Sequence, residues 1–160
     1  MSSRACLTES WRSWIKSFRI ALTSLVTRYE VTRGLKDKNA IRIGLVGYGP
    51  LFNMGKHHSE QIAKTHGFTL VAVCDKDPRR LEAAKQEQGE HLATFTDSGE
   101  LIRSGLIDLA IVIVPHVYHA PVAKPFLEAG IHVITEKPFT VHVSEADELI
   151  ALAKQKGVMV

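Results

Sequence analysis

From Ile41 onward the chain repeats one pattern, a short apolar run of strand length followed by a stretch with helical periodicity, until the sequence ends at Val160. Such alternation builds a parallel sheet with helices on both faces, because parallel neighbours need long crossovers and an amphipathic helix serves as one while burying its own apolar stripe. Strands are predicted at 41–46, 69–74, near 92–95, at 108–114 and at 131–135, with helices near 55–65, 78–88, 98–104, 118–129 and 144–156. Pro78 and Pro121 suit the first turns of their helices, whereas Pro125 lies deeper and is expected to kink its helix or delay its start. Ser144 followed by Asp147 reads as a capping box for the last helix, and Gly157 as its stop.

The first strand runs into a glycine-rich turn, IRIGLVGYGPLFNMG at 41–55. Gly47 and Gly49 accept backbone angles closed to other residues and lack a Cβ, so a pyrophosphate can approach the main-chain amides where the next helix presents its positive end. The second strand ends in Asp75, 28 positions after Gly47, where a carboxylate can accept hydrogen bonds from an adenosine ribose. Together these features point to a dinucleotide. The spacing departs from G-x-G-x-x-G, since Phe52 stands where the third glycine belongs. Two readings stay open: either Phe52, Asn53 and Met54 lengthen the turn and Gly55 makes the close helix–strand contact, or this is an ordinary glycine-containing turn.

With 160 residues, 45 % of them hydrophobic, the chain has room for one ordinary domain and not for two. Its net charge of +3 is unevenly placed: residues 1–40 carry eight Lys/Arg against three Asp/Glu, and residues 41–160 carry twelve against fourteen. The globular part is therefore slightly acidic, which disfavours a general affinity for nucleic acid. Cys6 and Cys74 have neither metal nor redox spacing. Cys74, in an apolar strand, reads as a buried free thiol of a reducing compartment, hence a cytoplasmic protein. No apolar run reaches the length of a transmembrane segment.

The division expected is an amphipathic helix and linker over 1–40 and a nucleotide-binding domain over 41–160. In the first part Leu7, Trp11, Trp14, Ile15, Phe18, Leu22, Leu25, Val26 and Tyr29 recur at helical spacing, with Thr8 a possible cap. Three roles stay open for it: packing on its own domain or a partner, a targeting or membrane-surface segment, or an upstream extension without a role. The final residues, VMV at 158–160, fall where the sixth strand of a 3-2-1-4-5-6 sheet would begin, so the sequence reads as the front part of a longer enzyme.

In such sheets the ligand lies beyond the carboxyl ends of the strands, where the strand order reverses. Strand four ends in IVIVPHVYH, placing Pro115, His116 and His119 there, and strand five ends in ITEKPF, placing Glu136, Lys137 and Pro138 beside them. A lysine in that crevice can donate a hydrogen bond to a substrate oxygen and favour the alkoxide that develops when hydride leaves a carbinol carbon. Alternatively Glu136 and Lys137 are a solvated pair, and His119 either caps its helix or lines the crevice. His57 and His58 open the first helix pointing in different directions, so metal ligation is disfavoured and no metal is expected. His66, His91, His132 and His142 receive no role.

The segments GYGPLF, VAVCD, PHVYHAPVAKPFLEAGIHVITEKPFTV and SEADELIALAKQKGVMV together resemble the cofactor domain of the Gfo/Idh/MocA family, named for glucose–fructose oxidoreductase and inositol dehydrogenase, over roughly residues 40–160. The resemblance implies a Rossmann-like doubly wound parallel sheet, cut at its sixth strand, and an NAD(P)-dependent oxidoreductase acting on a sugar, cyclitol or related polyol. It makes Glu136-Lys137-Pro138 the family's E-K-P motif, with Lys137 the catalytic lysine at the nicotinamide and the substrate hydroxyl. Pro115, His119 and Glu136 then belong to the nicotinamide side, and Gly47, Tyr48, Gly49, Leu51, Phe52 and Asp75 to the adenosine-diphosphate side. The family's second domain, which carries the acid–base group and usually the homo-oligomer interface, lies outside the sequence. Cofactor binding without appreciable turnover is therefore expected.

Asp75 favours NAD by repelling a 2′-phosphate, while Lys76, Arg79 and Arg80 soften that preference towards NADP. Two other functions compete. One is a non-catalytic nucleotide-binding module that senses redox state or docks through its N-terminal helix, on a partner held by Trp11, Trp14 and Phe18. The other is an S-adenosylmethionine-dependent methyltransferase, which shares the glycine turn and the acid after strand two but not the E-K-P segment.

Overall fold

The computed structural model describes residues 40–49 and 53–160; the predicted amphipathic segment before Ala40, and Pro50, Leu51 and Phe52 in the glycine turn, lie outside the described residues. Among the described residues five strands form one parallel sheet: β1 (Ile41–Val46), β2 (Phe68–Cys74), β3 (Ala93–Phe95), β4 (Leu109–Val112) and β5 (His132–Thr135). Their order is β3-β2-β1-β4-β5, so the chain winds outward from β1 in one direction, returns, and winds outward in the other. The helices between them are α1 (Met54–Lys64), α2 (Pro78–Gln88), α3 (Ser98–Ser104), α4 (His119–Glu128) and, after β5, α5 (Val143–Lys156). A short 3-10 turn, His116–Tyr118, leads into α4.

Side-chain alternation along the central strands divides the core into two layers. In β4, Leu109 and Ile111 join Ile43, Leu45 and Val73 under α1 and α2, where Ile62, Leu81 and Ala84 cover them. Ala110 and Val112 face the other way, with Cys74 and Val133, under Leu101 of α3, Phe126 and Leu127 of α4, and Leu149 and Ala153 of α5. Phe126, Leu45, Leu101 and Leu127 are wholly buried. Each such side chain contributes about 1.5–3 kcal/mol by leaving water.

Most element boundaries follow the sequence pattern, and the exceptions have local causes. Asp77 accepts a hydrogen bond from the Arg79 N–H at 3.1 Å, so α2 opens with a side-chain cap and Pro78 in its first turn, as expected. Helix α4 contains Pro121 in its first turn and runs through Pro125, starting at His119 without delay. The expected Ser144–Asp147 capping box is not the one formed. Because α5 begins at Val143, the position that reaches back is Glu145, whose Oε2 accepts from the N–H groups of His142 (3.1 Å) and Val141 (3.2 Å). Gly157 closes the helix at φ 69°. Beyond it, the Met159 carbonyl accepts from the Val133 N–H at 3.0 Å, so the last residues run beside the free edge of β5.

At the amino ends of β1 and β4, Arg42 is clamped on Asp108. The guanidinium donates Nε to Oδ2 at 2.8 Å and Nη2 to Oδ1, while the Arg42 N–H also reaches Oδ2 at 3.0 Å. The carboxylate holds the guanidinium pKa above its ordinary value.

Candidate active site

The glycine turn leaves β1 at its carboxyl end, and its geometry depends on the absence of one side chain. Gly47 has φ +100°, and a Cβ there would lie 2.3 Å from the Ile113 carbonyl oxygen, so both the backbone angle and the close approach to β4 demand glycine. Its N–H donates to the Cys74 carbonyl at 2.8 Å. Gly55, inside α1, is buried against the turn: a Cβ would meet Tyr48 Cδ2 at 2.8 Å and Tyr48 Cα at 3.1 Å. Of the two readings of the lengthened turn, this matches the one in which Gly55 supplies the close contact. Helix α1 opens from Asn53 (φ 51°) with no acidic residue in its first turn, which leaves its positive end suited to an anion.

Asp75, at the end of β2, is 8 % exposed. Its Oδ2 accepts from the Tyr48 N–H at 2.7 Å and its Oδ1 from the Asp77 N–H at 2.9 Å, while Arg80 Nη1 approaches Oδ2 at 3.5 Å. The carboxylate thus holds the glycine turn against β2. The Tyr48 ring is buried behind the turn, with its hydroxyl donating to Glu87 Oε2 at 2.9 Å, and burial pushes the phenol pKa up. The neighbouring Cys74 is a free buried thiol, pushed up to about 12 chiefly by desolvation, which makes it inert.

The end of β5 carries the second cluster. Glu136 Oε1 lies 2.6 Å from His58 Nε2, across the mouth of the sheet from α1, and Oε2 accepts from the Lys137 N–H at 3.1 Å. His58 and then the Lys137 amide hold the Glu136 carboxyl below its usual range, against the opposing effect of burial. Lys137, Pro138, Pro115 and His116 are exposed around this cluster. His119, at the start of α4, is 1 % exposed, and its ring reaches two main-chain carbonyls: Nδ1 is 2.8 Å from Pro138 O and Nε2 is 2.9 Å from Val114 O. The ring therefore neither caps the helix by its side chain nor opens towards the crevice; it ties the end of β4 to the segment after β5.

These contacts bring the Gly47–Gly49 turn, Asp75, Pro115 and Glu136-Lys137-Pro138 to one end of the sheet, whereas Leu51 and Phe52 lie outside the described residues. The residue that sequence reasoning missed is His58, which partners Glu136 from 78 positions away; no local pattern signals such a pair. Among the described residues no group of three or more His, Cys, Asp or Glu side chains is arranged to hold a metal ion, and no helix is long and apolar enough to cross a membrane. A close-approach glycine, an anion-ready helix end and an exposed lysine beyond the same strand ends fit a dinucleotide lying across the switch between β1 and β4.

Residues 41–160 match the family described as an oxidoreductase family with an NAD-binding Rossmann fold, GFO_IDH_MocA. The chain belongs to that family. It is 38 % identical over 117 residues to the uncharacterized oxidoreductase YdgJ of Escherichia coli, covering 73 % of this chain and 32 % of that protein. It is 34 % identical over 102 residues to inositol 2-dehydrogenase of Corynebacterium glutamicum, covering 63 % and 29 %. Among solved structures, scyllo-inositol dehydrogenase of Lactobacillus casei with bound NAD(H) and scyllo-inositol superposes with a TM-score of 0.65 at 30 % identity, over 74 % of this chain and 34 % of that one. The chain spans about a third of the length of these relatives.

Proposed function

We propose that this chain holds the nicotinamide dinucleotide of a dehydrogenase that oxidises a carbinol of a sugar, cyclitol or related polyol, or reduces the matching ketone. The observation carrying this reading is the His58–Glu136 contact, which ties the helix after the glycine turn to the residue preceding the exposed Lys137. One ligand can then touch both. The names of the inositol dehydrogenase relatives support a polyol substrate.

In this reading the main chain of Gly47, Tyr48, Gly49, Leu51 and Phe52 cradles the pyrophosphate, with the amino end of α1 behind it. The Tyr48 amide is already given to Asp75, so it shapes the cradle while the later amides of the turn contact the phosphates. Asp75 keeps acceptor capacity for a ribose hydroxyl and repels a 2′-phosphate, which favours NAD over NADP. Pro115 and Glu136 border the nicotinamide side, with His119 beneath them fixing the main chain. The nicotinamide, when bound, supplies the hydride acceptor or donor. The Lys137 ammonium donates to the substrate oxygen and stabilises its developing negative charge. No residue of this chain is assigned as proton acceptor; we assign that role, and the homo-oligomer interface, to a second domain of the whole protein, and place the protein in the cytoplasm. This chain by itself then binds cofactor without appreciable turnover.

Fluorescence titration with NADH and NADPH tests the reading. NADH is expected to bind, to bind more tightly than NADPH, and to bind more weakly after Asp75→Ala. Tighter binding of S-adenosylmethionine than of NADH would favour a methyltransferase instead. Substrate-dependent NAD reduction by the whole protein, compared across inositols and aldoses, separates a dehydrogenase from a non-catalytic sensor.

A further inference from the structure

We propose that His58 is a positioning residue for Lys137, acting through Glu136. This rests on reading Lys137 as the lysine at the reacting end of the cofactor. Glu136 spends its two carboxylate oxygens separately, Oε1 on His58 Nε2 at 2.6 Å and Oε2 on the Lys137 N–H at 3.1 Å. The acid is therefore a bridge whose one end is the lysine's own main chain. A charge-assisted contact of that length fixes direction as well as distance.

The support on which His58 stands is closely packed. It sits in the first part of α1, beside Ser59, which is 1 % exposed and donates to the Lys56 carbonyl at 2.8 Å. Gly55 of the same helix presses on Tyr48, and the Tyr48 N–H is held by Asp75. A continuous set of contacts thus runs from the glycine turn through Tyr48, α1, His58 and Glu136 to Lys137. On the far side, the Pro138 carbonyl is held by the buried His119. Residues 136 and 138 are each tied to a different helix, and the Lys137 side chain between them is exposed.

The functional consequence is register. The turn assigned to the pyrophosphate and the lysine assigned to the nicotinamide are spaced by His58, so loosening this contact displaces Lys137 without disturbing the phosphate end. A histidine that merely stabilised the fold would affect both ends alike.

The experiment compares NADH with ADP-ribose, which has the same pyrophosphate and adenosine but no nicotinamide, in titrations of the full chain, His58→Gln, Lys137→Met and the double variant. His58→Gln, at a side chain 23 % exposed and so tolerant of substitution, is expected to weaken NADH about fivefold and leave ADP-ribose within about twofold. In the Lys137→Met background it is expected to cost little more, since the two act as one unit. Glu136→Gln is expected to reproduce the selective loss. Equal weakening of both ligands, or independent and additive losses in the double variant, overturns the proposal while leaving the cofactor reading intact. An unaltered chain that fails to bind NADH overturns the cofactor reading and this proposal with it.

Discussion

Strands β1 and β4 lie side by side through the middle of the sheet, yet their two ends are built on opposite principles. At the amino ends Arg42 and Asp108 satisfy one another through a guanidinium–carboxylate fork, and the strands are drawn together. At the carboxyl ends Gly47 turns the chain away while its backbone crowds the Ile113 carbonyl, and the charged groups nearby attach to main chain or to distant helices. One end is closed by its own side chains, whereas the other is held open by contacts that brace a turn and a lysine. The lesson is that polar residues near a sheet end divide into those that complete the fold and those that shape a place for something else. Their partners, more than their identities, tell the two apart.

The sharpest way to break this comparison is Gly47→Ala. The added Cβ meets a main-chain oxygen at 2.3 Å at a φ of +100°, so a loss of about 3 kcal/mol or more is expected in urea unfolding, with NADH binding abolished. Asp75→Ala follows in size. It strips acceptors from the Tyr48 and Asp77 amides, for an expected cost of about 2–3 kcal/mol together with weaker NADH binding in titrations of the folded fraction. Arg42→Ala probes the closed end: Asp108 is partly exposed, so the cost is expected near 1–2 kcal/mol in the same unfolding assay, with NADH affinity unchanged. A change in affinity there would erase the distinction between the two ends.

The smallest effect is a pH dependence. His58 lowers the Glu136 pKa in the folded chain, so the ionised carboxylate contributes stability that is fully present above its ordinary value of 4.5 and is lost as pH falls through the depressed folded value. The acid limb of a stability–pH curve is expected to be shallower in Glu136→Gln than in the unaltered chain. Identical acid limbs would show that the contact contributes nothing to folding.

The layout of elements was legible because it depends on local periodicity. Helices α2 (Pro78–Gln88) and α3 (Ser98–Ser104) fall at the residues that proline and apolar spacing indicate, each with an aspartate cap just before it. Strand β4 stops at Val112, short of the expected Val114, because its neighbour β1 has already turned away at Gly47. The capping box of α5 lies two residues earlier than Ser144 and Asp147 indicate, since two acids at nearly equivalent spacing, Glu145 and Asp147, compete and the true start at Val143 selects the former. The candidate site was legible as a set of strand ends. Less so were the roles: Asp75 braces a turn, His119 joins two carbonyls, and His58, set aside as a metal ligand and given no other task, holds Glu136.

Sequence by itself determined that β1 is followed by a turn only glycine can make, that apolar runs alternate with helices, and that an acid and a lysine fall beyond particular strand ends. Those properties are carried by neighbouring residues, and neighbours are what a sequence records directly. Only the tertiary structure decided which charges meet. Winding the chain outward from β1 in both directions carries α1 to the end of β5, and it is that crossing that turns His58 and Glu136, 78 residues apart, into one contact.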